Sequence, residues 1–326
     1  MNRYSVRKYQ TSDKVLWDTF VAKAKNSTFL FYRDFMEYHN HKFDDFSLLF
    51  FDDKDNLKAI FPANILEDTV YSHQGLTYGG LVFCNRLKFN SVIKIFKTLL
   101  QYLENEHLDA LIVKQLPNIY CHVPSEEQAY LMFLLEAQLL RRDLLSVVDL
   151  KAHVKFSKDR KDGVKRGRKN KLIIKEDDTF EAFWNTILIP NLEQKHQAKP
   201  VHSLEEIQQL KAKFPNNIKQ FNVYHDNKIV AGTTIFITDK VAHSQYISGN
   251  HDKNQLGSLD FLHHHLITQV FADKVYFDFG ISNENNGKQV NTGLQYWKEG
   301  FGGRGITQDF YKINVKNHEK LNNVLI

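Results

Sequence analysis

The sequence predicts an α/β protein made of two similar units in tandem. Three observations carry this. The chain has 326 residues, more than the roughly 100 to 200 of an ordinary domain, so two cores are expected. Its 42% hydrophobic and 25% charged residues are a globular composition. The same order of helical and strand patterns also occurs twice, although residue identity between the halves is low.

In the first half, Ser12 precedes the apolar-periodic "DKVLWDTFVAKAK", and a second helical stretch follows at "YRDFMEYHN". Next, "FSLLFFDDKDNLKAIFPANI" reads as two strands around an Asp/Asn turn. After "TVYSHQGLTYGGLVF" come a helix at "SVIKIFKTLLQYLENE", a strand at "DALIVKQL", a helix whose Ser125 and Gln128 have capping-box spacing, and a strand at "LLSVVDL".

The second half repeats the order. Helices are predicted at "DTFEAFWNTILIPNL" and at "SLEEIQQLKAKF", where Ser203 and Glu206 again match a capping box. Two strands around a His-Asp-Asn-Lys turn follow, then the strand "VAHSQYISGN", a helix opening at Ser258, the strand "KVYFDFG", the helix "KQVNTGLQYWKEGF" and the strand "GITQDFYKI". The expected domains are 1–152 and 176–326, joined by a basic connector at 153–175.

Charge is concentrated. Residues 151–175 hold eleven Lys/Arg against Asp159 and Asp162, a local +9 in a chain of net +5, so the remainder is net acidic. Such a cluster repels itself unless an anionic partner or solvent relieves it. Neither an early nor a later apolar run has the length of a signal peptide's core or a membrane span, so a cytoplasmic protein is expected. Cys84 and Cys121, 37 positions apart, have no metal-ligand or redox spacing and read as two packed thiols. His263, His264 and His265 are consecutive and share no helical face, so no metal site is expected.

Two helices, an antiparallel meander, then strand, helix, strand, helix, strand is the element order of the Gcn5-related N-acetyltransferase (GNAT) fold. The stretches "NSTFLFYRDFMEYH", "SHQGLTYGGL", "KPVHSLEEI", "LGSLDFL", "YFDFGISNENNG", "NTGLQYWKEGFGGRG" and "DFYKI" extend from Asn26 to Ile313. On them the whole chain resembles the FemAB-like tandem GNAT-fold acyltransferases of cell-envelope and polysaccharide pathways. The resemblance implies two GNAT-like domains, each a mixed, mostly antiparallel sheet flanked by helices. It also implies transfer of an acyl or aminoacyl group from acyl-coenzyme A or aminoacyl-tRNA to the amine of an amino sugar or envelope precursor. The first half would bind the acceptor, and the second would hold the donor and the chemistry. No metal, redox group or tightly bound cofactor is implied, and no integral membrane contact.

Such a site needs stabilisation of an oxyanion, a route for the ammonium proton and an anchor for the donor. Alternation along "KVYFDFG" turns Asp278 inward near the end of a central strand, either to accept a proton or to hold its neighbours. Lys298, by resemblance, would lie near the reacting ester or thioester; the alternative is a surface pair with Glu299 or Glu284. Tyr246 would suit a general acid. In "NHDKNQLGS", Gly257 fits the central glycine of a phosphate-binding pattern, whereas Asn254 and Leu259 depart from it. That loop is either a phosphate cradle, with Gly257 and Ser258 at a helix start, or only a helix capped by Ser258. Ser282 and Asn283 sit beyond a strand end, where loops meet a donor. For the acceptor or its phosphates the candidates are His73, Tyr78 with Gly79 and Gly80, His202, and Lys165, Arg166, Arg168 and Lys169 of the basic run. That run also supports a rival class, a non-catalytic GNAT-fold scaffold or nucleic-acid-binding protein using 155–171, although no stacking aromatics interleave with its cations.

Overall fold

The computed structural model describes residues 4–152 and 155–326. It divides into two compact units, Met1–Asp143 with Thr307–Ile326, and Leu144–Ile306.

Unit 1 runs β1 (Ser5–Lys8), α1 (Lys14–Val21), α2 (Arg33–Met36), β2 (Asp44–Asp45), β3 (Leu48–Phe51), β4 (Leu57–Phe61), β5 (Asn64–Leu66), β6 (Thr69–Tyr71), β7 (Val82–Phe83), α3 (Phe89–Asn105), β8 (Ala110–Lys114) and α4 (Glu127–Leu134). One sheet has the order β1-β3-β4-β7; in the other β2, β5 and β6 form an antiparallel run and β6 lies parallel to β8. α3 presents Val92, Ile95, Phe96, Leu99, Leu100 and Leu103 to a core that includes Phe50, Phe61 and Phe83. That spacing is the apolar stripe of an amphipathic helix, and burying it holds the unit together.

The chain enters unit 2 within β9 (Gln138–Asp149) and continues through α5 (Lys158–Lys169), β10 (Ile173–Asp177), α6 (Glu181–Phe183), α7 (Ile189–His196), α8 (Leu204–Lys213), β11 (Ile218–His225), β12 (Lys228–Ile237), β13 (Val241–Gly249), α9 (Lys253–Leu256), α10 (Ser258–His265), β14 (Tyr276–Ile281), β15 (Asn283–Glu284), β16 (Gln289–Val290) and α11 (Thr292–Glu299). β17 (Arg304–Asn314) returns it to unit 1. β10 to β13 form an antiparallel run, β13 and β14 are parallel, and β14 pairs antiparallel with β9. Asp226 and Asn227 both take positive φ (48° and 61°) between β11 and β12, as a two-residue hairpin matched to strand twist requires.

These units differ from the expected spans of 1–152 and 176–326, and strand pairing gives the reason. Leu145–Asp149 of β9 pair with β14, so the strand that ends the first half of the sequence serves unit 2. Phe310–Asn314 of β17 pair with β8, so the last strand serves unit 1. The expected connector is also different: residues 153 and 154 lie outside the described residues, and the rest supplies helix α5 and strand β10 to unit 2.

Of the two capping boxes, Ser203–Glu206 forms, with both side chains bonding the other residue's backbone N–H. Ser125–Gln128 does not. Gln128 Oε1 instead accepts from the Leu81 N–H at 2.8 Å, and α4 begins at Glu127 without a side-chain cap. Both cysteines are free thiols, Cys121 buried and Cys84 half-buried.

Candidate active site

The parallel pair at the centre of unit 2 is short. β13 and β14 are in register over Val241–His243 and Tyr276–Asp278. Beyond His243, β13 runs on to Gly249 paired with β12 alone, while β14 turns at Gly280, whose φ is +68°. The two strands therefore part at His243 and Asp278, and no register pair joins them beyond that point.

Asp278 is fully buried. Its Oδ2 lies 3.0 Å from His243 Nδ1, and its Oδ1 accepts from the Gly280 N–H at 2.7 Å. The alternation read from the sequence holds: Phe277 and Phe279 pack into the core with Leu262, Leu266 and Phe301, on the face opposite Asp278. Gly280 is constrained twice, by its left-handed φ and because a Cβ there would stand 3.2 Å from His243 Cε1.

Lys298 is not in a surface ion pair. It is 2% exposed, and its Nζ donates to the carbonyls of Gly280 at 3.1 Å and Ile281 at 2.6 Å. Burial lowers its pKa to about 8, partly opposed by the charge of Asp278. The group is thus a cation at neutral pH, beside the point where the strands part. The Ser282 hydroxyl just beyond is buried without a hydrogen-bond partner among the described residues. Asn283, in contrast, closes the loop: its Oδ1 accepts from the Leu144 N–H and its Nδ2 donates to the Gly287 carbonyl.

Tyr246 and His202, expected separately, are partners. The Tyr246 hydroxyl lies 2.6 Å from His202 Nδ1 and accepts from the His202 N–H at 3.2 Å. The Tyr246 ring packs edge-on against Trp184 at 5.1 Å, and burial pushes the phenol up to about 12. A tyrosine held this way has its hydroxyl engaged within the fold.

The glycine loop has a different shape from either expectation. Ser258 does not cap α10; the N-cap is Gly257, with φ +69°, and Ser258 is the first helical residue, its hydroxyl buried and without a partner among the described residues. A Cβ on Gly257 would fall 2.1 Å from the Gly163 carbonyl oxygen of α5. Gly257 is thus required where another helix's backbone comes close. Asn254 is exposed on α9, and its carbonyl accepts from Arg166 Nε at 3.1 Å.

α5 explains its own composition. Gly163 and Gly167 face α10, where added Cβ atoms would meet Asp260 Oδ2 at 1.7 Å and Phe261 Cβ at 2.6 Å. Arg160 pairs with Asp260 at 2.5 Å. The opposite face carries Lys158, Lys161, Lys165, Arg168 and Lys169, all exposed, at i, i+3, i+7, i+10 and i+11. Among the described residues the only carboxylate pairing with this stripe is Asp162, 3.1 Å from Lys165.

In unit 1, His73 and Tyr78 are buried in the protein. His73 takes φ +59°, stacks on His39 at 5.3 Å, and is driven by burial to a pKa of about 3. The Tyr78 hydroxyl donates to Thr28 Oγ1 at 3.1 Å. A cavity of about 150 Å³ in this unit is lined by Gly79, with Asn26, Gln115, Gln128 and Asp309 among its neighbours, and by neither His73 nor Tyr78.

His243 is the residue that sequence reasoning passed over. Its signal was the histidine in "VAHSQYISGN", but its partner lies 35 positions away and only the register joins them. Among the described residues, no group of three or more His, Cys, Asp or Glu is arranged to hold a metal ion. No helix among them is long and apolar enough to cross a membrane.

Residues 155–298 match the acetyltransferase (GNAT) domain family. No curated protein matches the chain by sequence. Among solved structures, FemX is similar with a TM-score of 0.66 at 8% identity, over 98% of this chain and 99% of that one. A C-terminal domain described as that of a putative lysylphosphatidylglycerol synthetase from Agrobacterium fabrum gives 0.59 at 13%, over 96% and 95%. A tandem GNAT protein from the clavulanic acid biosynthesis pathway gives 0.50 at 9%, over 97% and 99%. With parallel strands that part after three residues in each unit and a segment matching the GNAT domain family in the second, the chain has the tandem GNAT fold of these structures.

Proposed function

We propose that this GNAT-fold acyltransferase moves an aminoacyl group from aminoacyl-tRNA to the amine of an amino sugar or cell-envelope precursor. The observation that carries the reading is the buried Lys298 cation beside the parting of β13 and β14, with the Ser282 hydroxyl, unpartnered among the described residues, nearby. A fixed positive charge in a site shielded from water stabilises the oxyanion that forms when an amine attacks an ester. Lys298 is a catalytic residue in this reading, and Asp278 orders the strand end. Tyr246 and His202 form the neighbouring wall.

Two features favour a tRNA ester over an acyl-coenzyme A thioester. The central glycine of the expected phosphate loop is packed against the backbone of α5, so its lack of a side chain serves helix contact. The stripe of α5 extends over eleven helical steps, roughly 17 Å at 1.5 Å per residue, longer than a single pyrophosphate needs. A run of cations on that scale suits a polyanion. The name of the similar lysylphosphatidylglycerol synthetase also couples an aminoacyl group to an envelope component.

The test is formation of amide product from charged tRNA and a panel of amino sugars and envelope amines, with acetyl-coenzyme A in parallel. Tight, salt-dependent tRNA binding is expected, and each stripe cation replaced by Gln should lower the slope of log K against log salt by about 0.7 to 0.9. Product from acetyl-coenzyme A without RNA would transfer the donor role to the thioester. RNA binding with no amide from either donor would favour the non-catalytic binding protein.

A further inference from the structure

At neutral pH the acceptor amine is an ammonium ion, with a pKa of about 8 for an α-amine and about 10 for an alkyl amine. Something must take its proton before nitrogen can attack. The groups around the strand parting can be sorted by what they are able to accept.

Lys298 cannot serve. Its Nζ donates to two backbone carbonyls, and at a pKa of about 8 it is protonated at neutral pH. Asp278 has no exposure, and its two oxygens face His243 Nδ1 and the Gly280 N–H. The Tyr246 hydroxyl is occupied by His202. His243 is different. Its side chain is 13% exposed, its Nδ1 meets the Asp278 carboxylate, and its Nε2 has no hydrogen-bond partner among the described residues. An anion at Nδ1 fixes the proton on that nitrogen and leaves the lone pair on Nε2.

We infer that His243 is the general base of the transfer reaction, oriented by Asp278 as a positioning residue, at the last register pair before β13 and β14 part. The inference rests on the acyl-transfer reading of the same site.

The step balances without a further reactant. Nε2 takes one proton from the ammonium, and the freed lone pair forms the C–N bond while the carbonyl π pair moves to oxygen, facing the Lys298 charge. The intermediate collapses, the C–O bond to the donor breaks, and the leaving oxygen takes the second N–H proton. His243 then returns its proton to solvent. The sum is ester plus ammonium giving amide, alcohol and one proton.

The surroundings of His243 are defined on each side. From β14 it faces Asp278, with Gly280 against its ring edge; the same Asp278 charge is felt by Lys298 of α11; from β12 its register neighbour is Phe236. Among the described residues Asp278 is the one carboxylate that pairs with this ring.

The experiment is the pH profile of kcat/KM for the wild type, His243→Asn, His243→Gln and Asp278→Asn, with folding of each checked by cooperative thermal unfolding. Both His243 variants should lose about 10²-fold or more, keep their KM for the donor, and lose the acid limb of the profile; added imidazole should restore part of the rate. Asp278→Asn should retain an acid limb at altered pH, and the low-field proton resonance of His243 Nδ1 should vanish. Folded His243 variants that keep the wild-type acid limb would overturn the base assignment while leaving the transferase reading intact, provided Lys298→Ala remains inactive. A wild type that forms no amide from either donor would overturn both.

Discussion

Each unit has one short parallel pair, and the two pairs end differently. In unit 2 the last register pair is His243 with Asp278; in unit 1 it is Tyr71 with Ile112. Lys298 lies six residues before β17 begins, and the residue six before β9 in the first half is Met132, buried in the unit 1 core. Past the pair, unit 1 fills its own gap: Ser72 N–H donates to the Ile112 carbonyl, Ser72 Oγ accepts from the Lys114 N–H, and Gly79 N–H donates to the Lys114 carbonyl. A Cβ on Gly79 would lie 2.1 Å from the Ser72 carbonyl, so only glycine allows that closure. One fold thus ends its parallel pair at an ionisable couple in unit 2 and at Tyr71 and Ile112 in unit 1. The difference lies in three side chains and one loop.

The comparison can be tested by making unit 2 resemble unit 1. The largest effect is expected from Lys298→Met combined with His243→Tyr and Asp278→Ile, which should reduce transfer to background while the protein still unfolds cooperatively. Retained transfer in that triple variant would place the chemistry elsewhere. Lys298→Met alone should cost about 10²- to 10³-fold in kcat, the scale of one lost oxyanion stabiliser.

The same lysine gives a pH prediction. Its folded pKa of about 8 lies below its ordinary value of 10.5, so between those pH values the unfolded chain holds more protons than the native one. Stability should therefore rise with pH across that window, while transfer falls as the cation is lost. Lys298→Met should abolish the rise in stability, and Lys298→Arg should remove the fall in rate. Thermal unfolding and pH–rate profiles on the three proteins would detect a wrong sign in either case.

Smaller effects are expected from the backbone. Gly280→Ala places a Cβ in the left-handed region and 3.2 Å from His243 Cε1; a cost of about 1 to 2 kcal/mol and a rate loss of about tenfold are expected from thermal and kinetic measurements. A Gly280→Ala variant as active as the wild type would show that the imidazole position is not critical. Least affected should be Tyr246→Phe, losing about 1 kcal/mol of stability from the bond to His202 and only a few-fold in rate. A loss as large as that of Lys298→Met would restore Tyr246 to the catalytic role expected from sequence.

Much of this architecture could be read from local pattern. The element order, the two hairpins, the Ser203–Glu206 cap and the inward Asp278 all follow from periodicities and short motifs. What local pattern could not supply was register. His243 stands beside Asp278 only because β13 and β14 pair in parallel across 35 residues, and no spacing rule reaches that far. The glycines of "SKDRKDGVKRGRKN" read as linker residues because nothing local reveals that α10 lies against them. The capping box at Ser125 does not form for the same kind of reason, a tertiary bond to Leu81 outcompeting a local one. Burial of Lys298 is the least expected feature, since a lysine in "YWKEGFGGRG" reads most simply as a surface group.

The return of β17 to unit 1 fixes an order of events during synthesis. Domains ordinarily fold from the N-terminus as the ribosome advances at about 5 to 20 residues per second. Here a nascent chain that has emerged through Ile306 already contains all of unit 2, whereas β8 of unit 1 still awaits Phe310–Asn314. The half of the protein made first is the half completed last. Until those residues emerge, β8 presents an unpaired edge to every neighbouring chain, the kind of edge on which strands mispair.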